Sequence, residues 1–138
     1  MPRRHLGFTL IELVAVLVLI GILGTTITTA VMPSDTFQMQ SSRDQVVTAF
    51  FSAQQRAMAQ TSPVSLVLSS PNTVDVRQSG ASIRVGGVQY PITLLPNQTL
   101  SASTIAFDRL GRTSAVDLTL SQNGDSVTIS VSSTGYIN

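Results

Sequence analysis

Glu12 is the residue whose type and position most clearly indicate chemistry. It lies in a segment that is otherwise apolar: the twelve residues from Leu13 to Gly24 have no polar side chain. An ionisable group in such a segment is costly, and it usually has a function and a partner. The apolar residues contribute about −3 to −5 kcal/mol to the free energy of membrane insertion, whereas the acid costs at most about +3 kcal/mol. Because Glu12 also lies near the start of the segment, insertion remains favourable.

The apolar segment is long enough to span a bilayer. From Leu10 to Met32 it measures roughly 35 Å as a helix, against a hydrocarbon core of about 30 Å. Arg3 and Arg4 precede it, and the next positive charge is Arg43. The bias of positive charge towards the inner side of a membrane predicts a cytoplasmic amino terminus and an external carboxy-terminal part.

The residues Gly7 to Leu13, read as GFTLIEL behind a short basic leader, resemble the type IV prepilin signature. The resemblance implies that a prepilin peptidase cleaves between Gly7 and Phe8 and methylates the new amine of Phe8. It also implies that Glu12 sets the register between helices by pairing with the Phe8 amine of a neighbouring subunit. The chemistry is consistent, because cleavage places a cation one helical turn from the acid, and opposite charges favour each other as solvent is excluded.

A secretory signal peptide is an alternative interpretation of the same segment. Such a peptide also has a basic start and an apolar stretch, and the residues Thr28 to Ala30 are small enough for a cut after Ala30. Glu12 argues against this alternative, because the apolar stretch of an ordinary signal peptide is uninterrupted.

A second helix is expected after Pro33, which interrupts the first, and before Pro63. Four apolar residues at helical spacing predict one buried face: Val46, Phe50, Ala53 and Ala57. Three others are expected to extend the same face: Val47, Phe51 and Met58. The opposite face is polar, and it is expected to be solvated, with a subunit contact as the alternative: Arg43, Asp44, Gln54, Gln55 and Arg56.

Beyond Pro63 the apolar residues alternate, which predicts β-strands. The clearest hairpin has Asn123-Gly124 as a two-residue turn, since both residue types tolerate a positive φ. This turn pairs Gln122 with Asp125 and places three apolar pairs on one face. Those pairs are Leu120 with Val127, Leu118 with Ile129, and Val116 with Val131.

These patterns predict an α+β fold, in which a long amino-terminal helix with a break near Pro33 packs on a small antiparallel β-sheet domain. The expected organisation is a leader peptide at 1–7, a membrane or filament-core half-helix at 8–32, an amphipathic half-helix at 33–62 and a β-rich domain at 63–138.

Composition argues against catalysis. The sequence has no Cys or Lys, and its single His5 lies in the leader, so thiol nucleophiles, Schiff-base lysines and His-based sites are excluded from the mature chain. Four acids show no spacing that predicts a common cleft: Asp75, Asp108, Asp117 and Asp125. With a net charge of +1 and no basic stripe, no nucleic acid is expected as a partner. We expect no enzymatic activity, no cofactor, no metal and no small-molecule substrate.

The expected function is that of a minor pilin, a structural subunit assembled into or at the tip of a type IV pilus. The alternatives are a minor pseudopilin of a type II secretion system, a secreted β-rich binding domain and a membrane-anchored enzyme. The segments Phe107 to Arg112 and Gly135 to Ile137 resemble H-type pseudopilins and FimT-like minor pilins, and parts of 43–59 resemble minor pilins of the mannose-sensitive haemagglutinin (MSHA) pilus. The expected partners are a prepilin peptidase and other pilin subunits, and the expected location is the bacterial inner membrane and then the filament.

Overall fold

The computed structural model describes residues 9–27 and 35–138. The chain divides after Pro33 into two compact units. The predicted break near Pro33 and the alternative cut after Ala30 lie outside the described residues.

The first unit contains helix α1 (Leu10–Ile27). The apolar side chains between Leu10 and Ile22 are exposed, with Leu10 at 80% and Ile22 at 59%. Neither described helix meets the length and hydropathy that a single membrane crossing requires.

The second unit begins with helix α2 (Asp35–Ala59). Asp35 lies in its first turn and Arg56 in its last turn, where each charge is favourable to the helix dipole. The predicted buried face is confirmed, because Val46, Phe50 and Ala53 are fully buried and Ala57 is 3% exposed.

The rest of the second unit is antiparallel β-structure. The described strands are β1 (Val64–Ser69), β2 (Thr73–Gln78), β3 (Ala81–Ser82), β4 (Arg84–Val85), β5 (Val88–Gln89), β6 (Ile92–Thr93), β7 (Gln98–Leu100), β8 (Ser103–Phe107), β9 (Val116–Gln122) and β10 (Asp125–Val131). One sheet has the order β3-β2-β1-β8, with β6 also paired to β2. A second sheet has the order β10-β9-β7, and β4 pairs with β5 alone.

The predicted β9–β10 hairpin is confirmed. Leu120 pairs with Val127 and Leu118 with Ile129, and the remaining predicted pairs are also formed. Asn123 and Gly124 both have positive φ, at 51° and 94°, as a type I′ turn requires.

The core lies between α2 and the two larger sheets, so the predicted α+β fold is confirmed for this unit. Phe50 of α2 meets Phe107 of β8 edge to face, with ring centroids 5.0 Å apart. Burying an aromatic side chain of this size contributes about 1.5–3 kcal/mol. The expectation for Phe51 and Met58 is wrong, because they are 43% and 50% exposed. Each lies about 80–100° round the helix from Phe50, at the margin of the buried face.

Two of the alternating segments beyond Pro63 form strands only in part. Of Ile83 and Val85, only Val85 lies in a strand, β4, and of the alternating residues from Val88 to Leu94, only Val88 lies in β5 and only Ile92 in β6. Tyr90 and Leu94 are nevertheless buried. Strand β7 is too short for an alternating pattern to predict it. Its Gln98 side chain is buried and is hydrogen-bonded to a polar partner.

That polar partner belongs to a network that joins the second sheet to the start of α2. The Gln98 Nε2 donates to Gln122 Oε1 at 2.8 Å, and Gln122 Nε2 donates to Asp35 Oδ1 at 3.2 Å. The Asn123 Nδ2 donates to the other oxygen of Asp35 at 3.0 Å. The first turn of α2 is therefore attached to the tip of the β9–β10 hairpin.

Candidate processing and assembly site

Glu12 occupies the first turn of α1, where it forms a capping box with Thr9. The Glu12 Oε2 accepts hydrogen bonds from the Thr9 backbone N–H at 2.8 Å and from the Thr9 hydroxyl at 2.9 Å. In return the Glu12 N–H donates to Thr9 Oγ1 at 3.4 Å. The first helical bond, from Leu13 N to Thr9 O, is 3.2 Å long. This reciprocal arrangement satisfies backbone donors that a helix start leaves unpaired.

The capping box gives Glu12 a partner that the sequence analysis did not foresee. The signal was present in the sequence, because Thr-x-x-Glu before an apolar run is the usual mark of a capped helix start. Both groups are exposed. The carboxylate therefore has a local structural role in addition to the predicted register role. Gly7 and Phe8, the predicted cleavage and methylation residues, lie outside the described residues.

In the second unit, Gln54 joins two loops to α2. Its Nε2 donates to the carbonyl oxygens of Gly111 at 2.8 Å and Gly135 at 2.9 Å. Gln54 was expected on a solvated helix face, but it is half-buried because these loops fold over it. Gln55, the next residue, remains exposed as expected. No sequence pattern distinguishes the two glutamines, since their difference depends on loops 57 and 81 residues away in the chain.

The loop after β8 is closed by Asp108. Its Oδ1 accepts from the backbone N–H of Arg112 at 2.8 Å and of Leu110 at 2.9 Å, and its Oδ2 accepts from Arg112 Nε at 2.9 Å. The Arg112 backbone hydrogen bond is the largest cause that lowers the pKa of the Asp108 carboxyl, and slight burial opposes it. These bonds explain the Phe107 to Arg112 segment as a tight structural loop.

The remaining acids do not form a metal centre in the part of the chain that the structure describes. Asp75 is buried and pairs with Arg77 at 2.6 Å and with the Ser82 hydroxyl at 2.8 Å. No group of three or more potential metal ligands occurs among the described residues. The expectation that the chain has no enzymatic activity stays a prediction.

Comparison with known proteins agrees with the amino-terminal features. The prokaryotic N-terminal methylation motif matches residues 2–28. A search of curated proteins finds no significant match.

Two crystal forms of the type IV minor pilin FimU of Pseudomonas aeruginosa are similar to this chain in fold. One aligns with a TM-score of 0.61 and 15% identity, over 76% of this chain and 90% of the FimU chain. The other aligns with a TM-score of 0.53 and 16% identity, over 72% of this chain and 90% of the FimU chain.

The methylation motif and the fold both agree with the resemblance to type IV pilins on which the sequence-based expectation rests. The motif implies a membrane-anchored precursor that is processed by a peptidase and assembled with other pilins. The finer resemblance to MSHA minor pilins or to H-type pseudopilins stays a prediction.

Proposed function

We propose that this chain is a minor pilin, a structural subunit assembled into or at the tip of a type IV pilus. The observation that carries the proposal is the methylation motif over residues 2–28. With the proposed cut after Gly7, Glu12 would be the fifth residue of the mature chain. The fold shared with a type IV minor pilin supports this role.

In this proposal the prepilin peptidase cleaves between Gly7 and Phe8, and Phe8 is methylated. Residues 8–32 anchor the chain in the inner membrane with its amino end cytoplasmic and its carboxy-terminal domain periplasmic. The exposed Leu, Ile and Val side chains of α1 support this, since an apolar surface of that extent requires lipid or neighbouring helices to cover it. The same surface then packs among other pilin helices in the filament.

Mass spectrometry of the mature amino terminus from native membranes tests the processing step. The proposal predicts a chain that begins at methylated Phe8. A start at Val31 would mean a secreted soluble domain, and a start at Met1 would mean an uncut membrane protein; either result overturns the proposal. Gly7→Leu is expected to accumulate uncut precursor, because a bulky side chain blocks a peptidase that acts on a small residue beside a bilayer.

The capping box allows the role of Glu12 in register to be separated from its role in the helix start. Glu12→Gln keeps an oxygen that accepts from Thr9, because Gln also serves at this position of a capping box. It removes the charge that would pair with the Phe8 amine. Glu12→Ala removes both the cap and the charge.

We expect both variants to insert into the membrane and both to be depleted from purified filaments. If Glu12→Gln is incorporated at the wild-type level while Glu12→Ala is not, the carboxylate acts only as a cap and the register role is wrong. Thr9→Val, which removes the hydroxyl but keeps the Glu12 charge, is the matched control for loss of the cap, and we expect it to be incorporated.

A further inference from the structure

Strand β8 forms one edge of the larger sheet. It pairs with β1 on one side, and no described strand lies on its other side. An edge of this kind presents main-chain donors and acceptors that can pair with another chain.

The register of the sheet shows which groups of β8 face outward. The Ser79 N–H donates to the Pro63 carbonyl, which continues the β1–β2 register and directs the odd-numbered residues of β1 towards β2. The even-numbered residues of β1 therefore bond to β8, where their partners are Ser103, Ile105 and Phe107. It follows that the N–H and C=O groups of Thr104 and Ala106 point away from the sheet.

These outward groups lack a main-chain partner. Among the described residues, no backbone hydrogen bond outside the β1–β8 pairing involves Thr104 or Ala106. The edge of β10 differs at its end, because Ser130 exchanges two hydrogen bonds of 3.0 Å with Asn138. Edge strands are commonly protected by a charge or a proline, and neither Thr104 nor Ala106 provides one.

An open groove of about 700 Å³ lies beside the end of this edge. Its lining includes Ala106, Phe107 and Asp108, at and just after the end of β8. The lining also includes four residues that bear hydroxyl groups: Thr113, Ser114, Ser133 and Thr134. The charges of Asp108 and Arg112 compensate each other at 2.9 Å, so the groove favours an uncharged occupant.

We propose that the edge of β8 binds an extended, uncharged segment of a different filament subunit, which adds to the sheet as a further strand. A polypeptide in extended conformation suits this edge, because its N–H and C=O groups recur at the same spacing as those of Thr104 and Ala106, about 6.8 Å apart. Small or hydroxyl-bearing side chains of the added strand would enter the groove.

The source of the added strand rests on the proposed function. Two copies of this chain could pair through their β8 edges, but such a contact uses the same surface on both copies and closes after two chains. A filament contact joins different surfaces of neighbouring subunits. A segment of another subunit is therefore the occupant that suits a pilus.

Site-specific crosslinking tests the proposal in native membranes. Because the sequence has no cysteine, Thr104→Cys and Ala106→Cys each introduce one thiol that can carry a photoactivatable benzophenone. We expect crosslinks from the two positions to map to residues two apart on one segment of one other pilin, since side chains on one face of a strand repeat every two residues. The order of the two crosslinked residues gives the direction of the added strand.

The result that overturns the proposal is an absence of crosslinks, crosslinks scattered over unrelated segments, or crosslinks to a second copy of this chain. Thr128→Cys is the control, since Thr128 lies on β10, an outer strand of the second sheet. The benzophenone at this position is expected to give no crosslink to the segment that positions 104 and 106 reach.

A proline substitution tests the main-chain contact directly. Ala106→Pro removes an N–H that faces outward, so it leaves the β1–β8 hydrogen bonds intact, whereas Ala106→Thr keeps the N–H. We expect Ala106→Pro to lower the crosslink yield from position 104 about two- to tenfold, which is the effect of one lost hydrogen bond. Equal yields from the two variants would contradict the proposal, provided that both have the wild-type melting temperature.

The two proposals fail in distinguishable ways. A mature chain that does not begin at Phe8 overturns the proposed function, whatever the crosslinks show. A methylated Phe8, together with no paired crosslinks from positions 104 and 106 on one segment, overturns only the inference about β8. If Ala106→Pro does not fold, the crosslinks from the two cysteine variants alone decide whether the inference about β8 holds.

Discussion

Replacing Gln54 with Glu is expected to destabilise the second unit strongly, although the two side chains have nearly the same shape. The Gln54 Nε2 donates to Gly111 O at 2.8 Å and to Gly135 O at 2.9 Å. Glutamate has no donor at this position when it is ionised, and its negative charge would lie against two carbonyl oxygens. The adjacent Gln55 is exposed, which makes Gln55→Glu a control with the same change of charge on the same helix.

The magnitude follows from the two contacts. Each hydrogen bond contributes about 0.5–1.5 kcal/mol net, so their loss costs about 1–3 kcal/mol. The site is half-buried, and the added repulsion acts in the same direction, so we expect Gln54→Glu to lower the free energy of unfolding by at least about 2 kcal/mol. Gln55→Glu is expected to change it by less than about 0.5 kcal/mol.

Thermal unfolding of the purified full chain in detergent, followed by circular dichroism, measures the difference. For a unit of this size, about 2 kcal/mol corresponds to a decrease in melting temperature of roughly 8 °C or more. Melting temperatures of the two variants that agree within about 2 °C would refute the assignment of Gln54 as the residue that holds the two loops on α2.

Two further predictions concern the same loops. Gly135→Ala is expected to cost at least about 2 kcal/mol, because Gly135 has a φ of +82° and an added Cβ would meet the Gly111 carbonyl oxygen. Gly80→Ala has a similar φ of +85° and open space around it, so equal melting temperatures for the two variants would contradict the steric argument. The lowered pKa of Asp108 means that its carboxylate stabilises the loop at pH values above its ordinary pKa of 3.8, and that this contribution is lost as the pH falls through the lower folded value. Amide exchange at Arg112 should therefore accelerate in acid in the wild type but show no such step in Asp108→Asn, and an identical acid step in both would show that another group is responsible.

Much of the outer unit could be predicted from local pattern. The β9–β10 hairpin was predicted in full register, because the Asn-Gly turn sets the pairing of every residue beyond it. Helical periodicity predicted the buried face of α2. The prediction was wrong only at Phe51 and Met58, because the width of the sheet determines how far round the helix the core extends. Strands β5 and β6 were too short for an alternating pattern to delimit.

The amino-terminal methylation motif was predicted from the sequence, whereas the hydrogen bonds around Glu12 were not. The motif spans residues 2–28, and the roles of Gly7, Phe8 and Glu12 within it stay predictions. The bond between Thr9 and Glu12 is also local, and a capping-box pattern would have predicted it.

The sequence by itself determined the amino-terminal motif, the helical and alternating segments and the β9–β10 register, because each depends on residues close together in the chain. Only the tertiary structure decided that Gln54 is hydrogen-bonded to two loops while Gln55 is exposed to solvent. It also decided that Gln98 and Gln122 attach the second sheet to α2, and that β8 is an edge strand with an open groove beside it. These features join residues that are distant in the chain. Their contacts depend on how the two larger sheets pack on α2, which no spacing within one segment encodes.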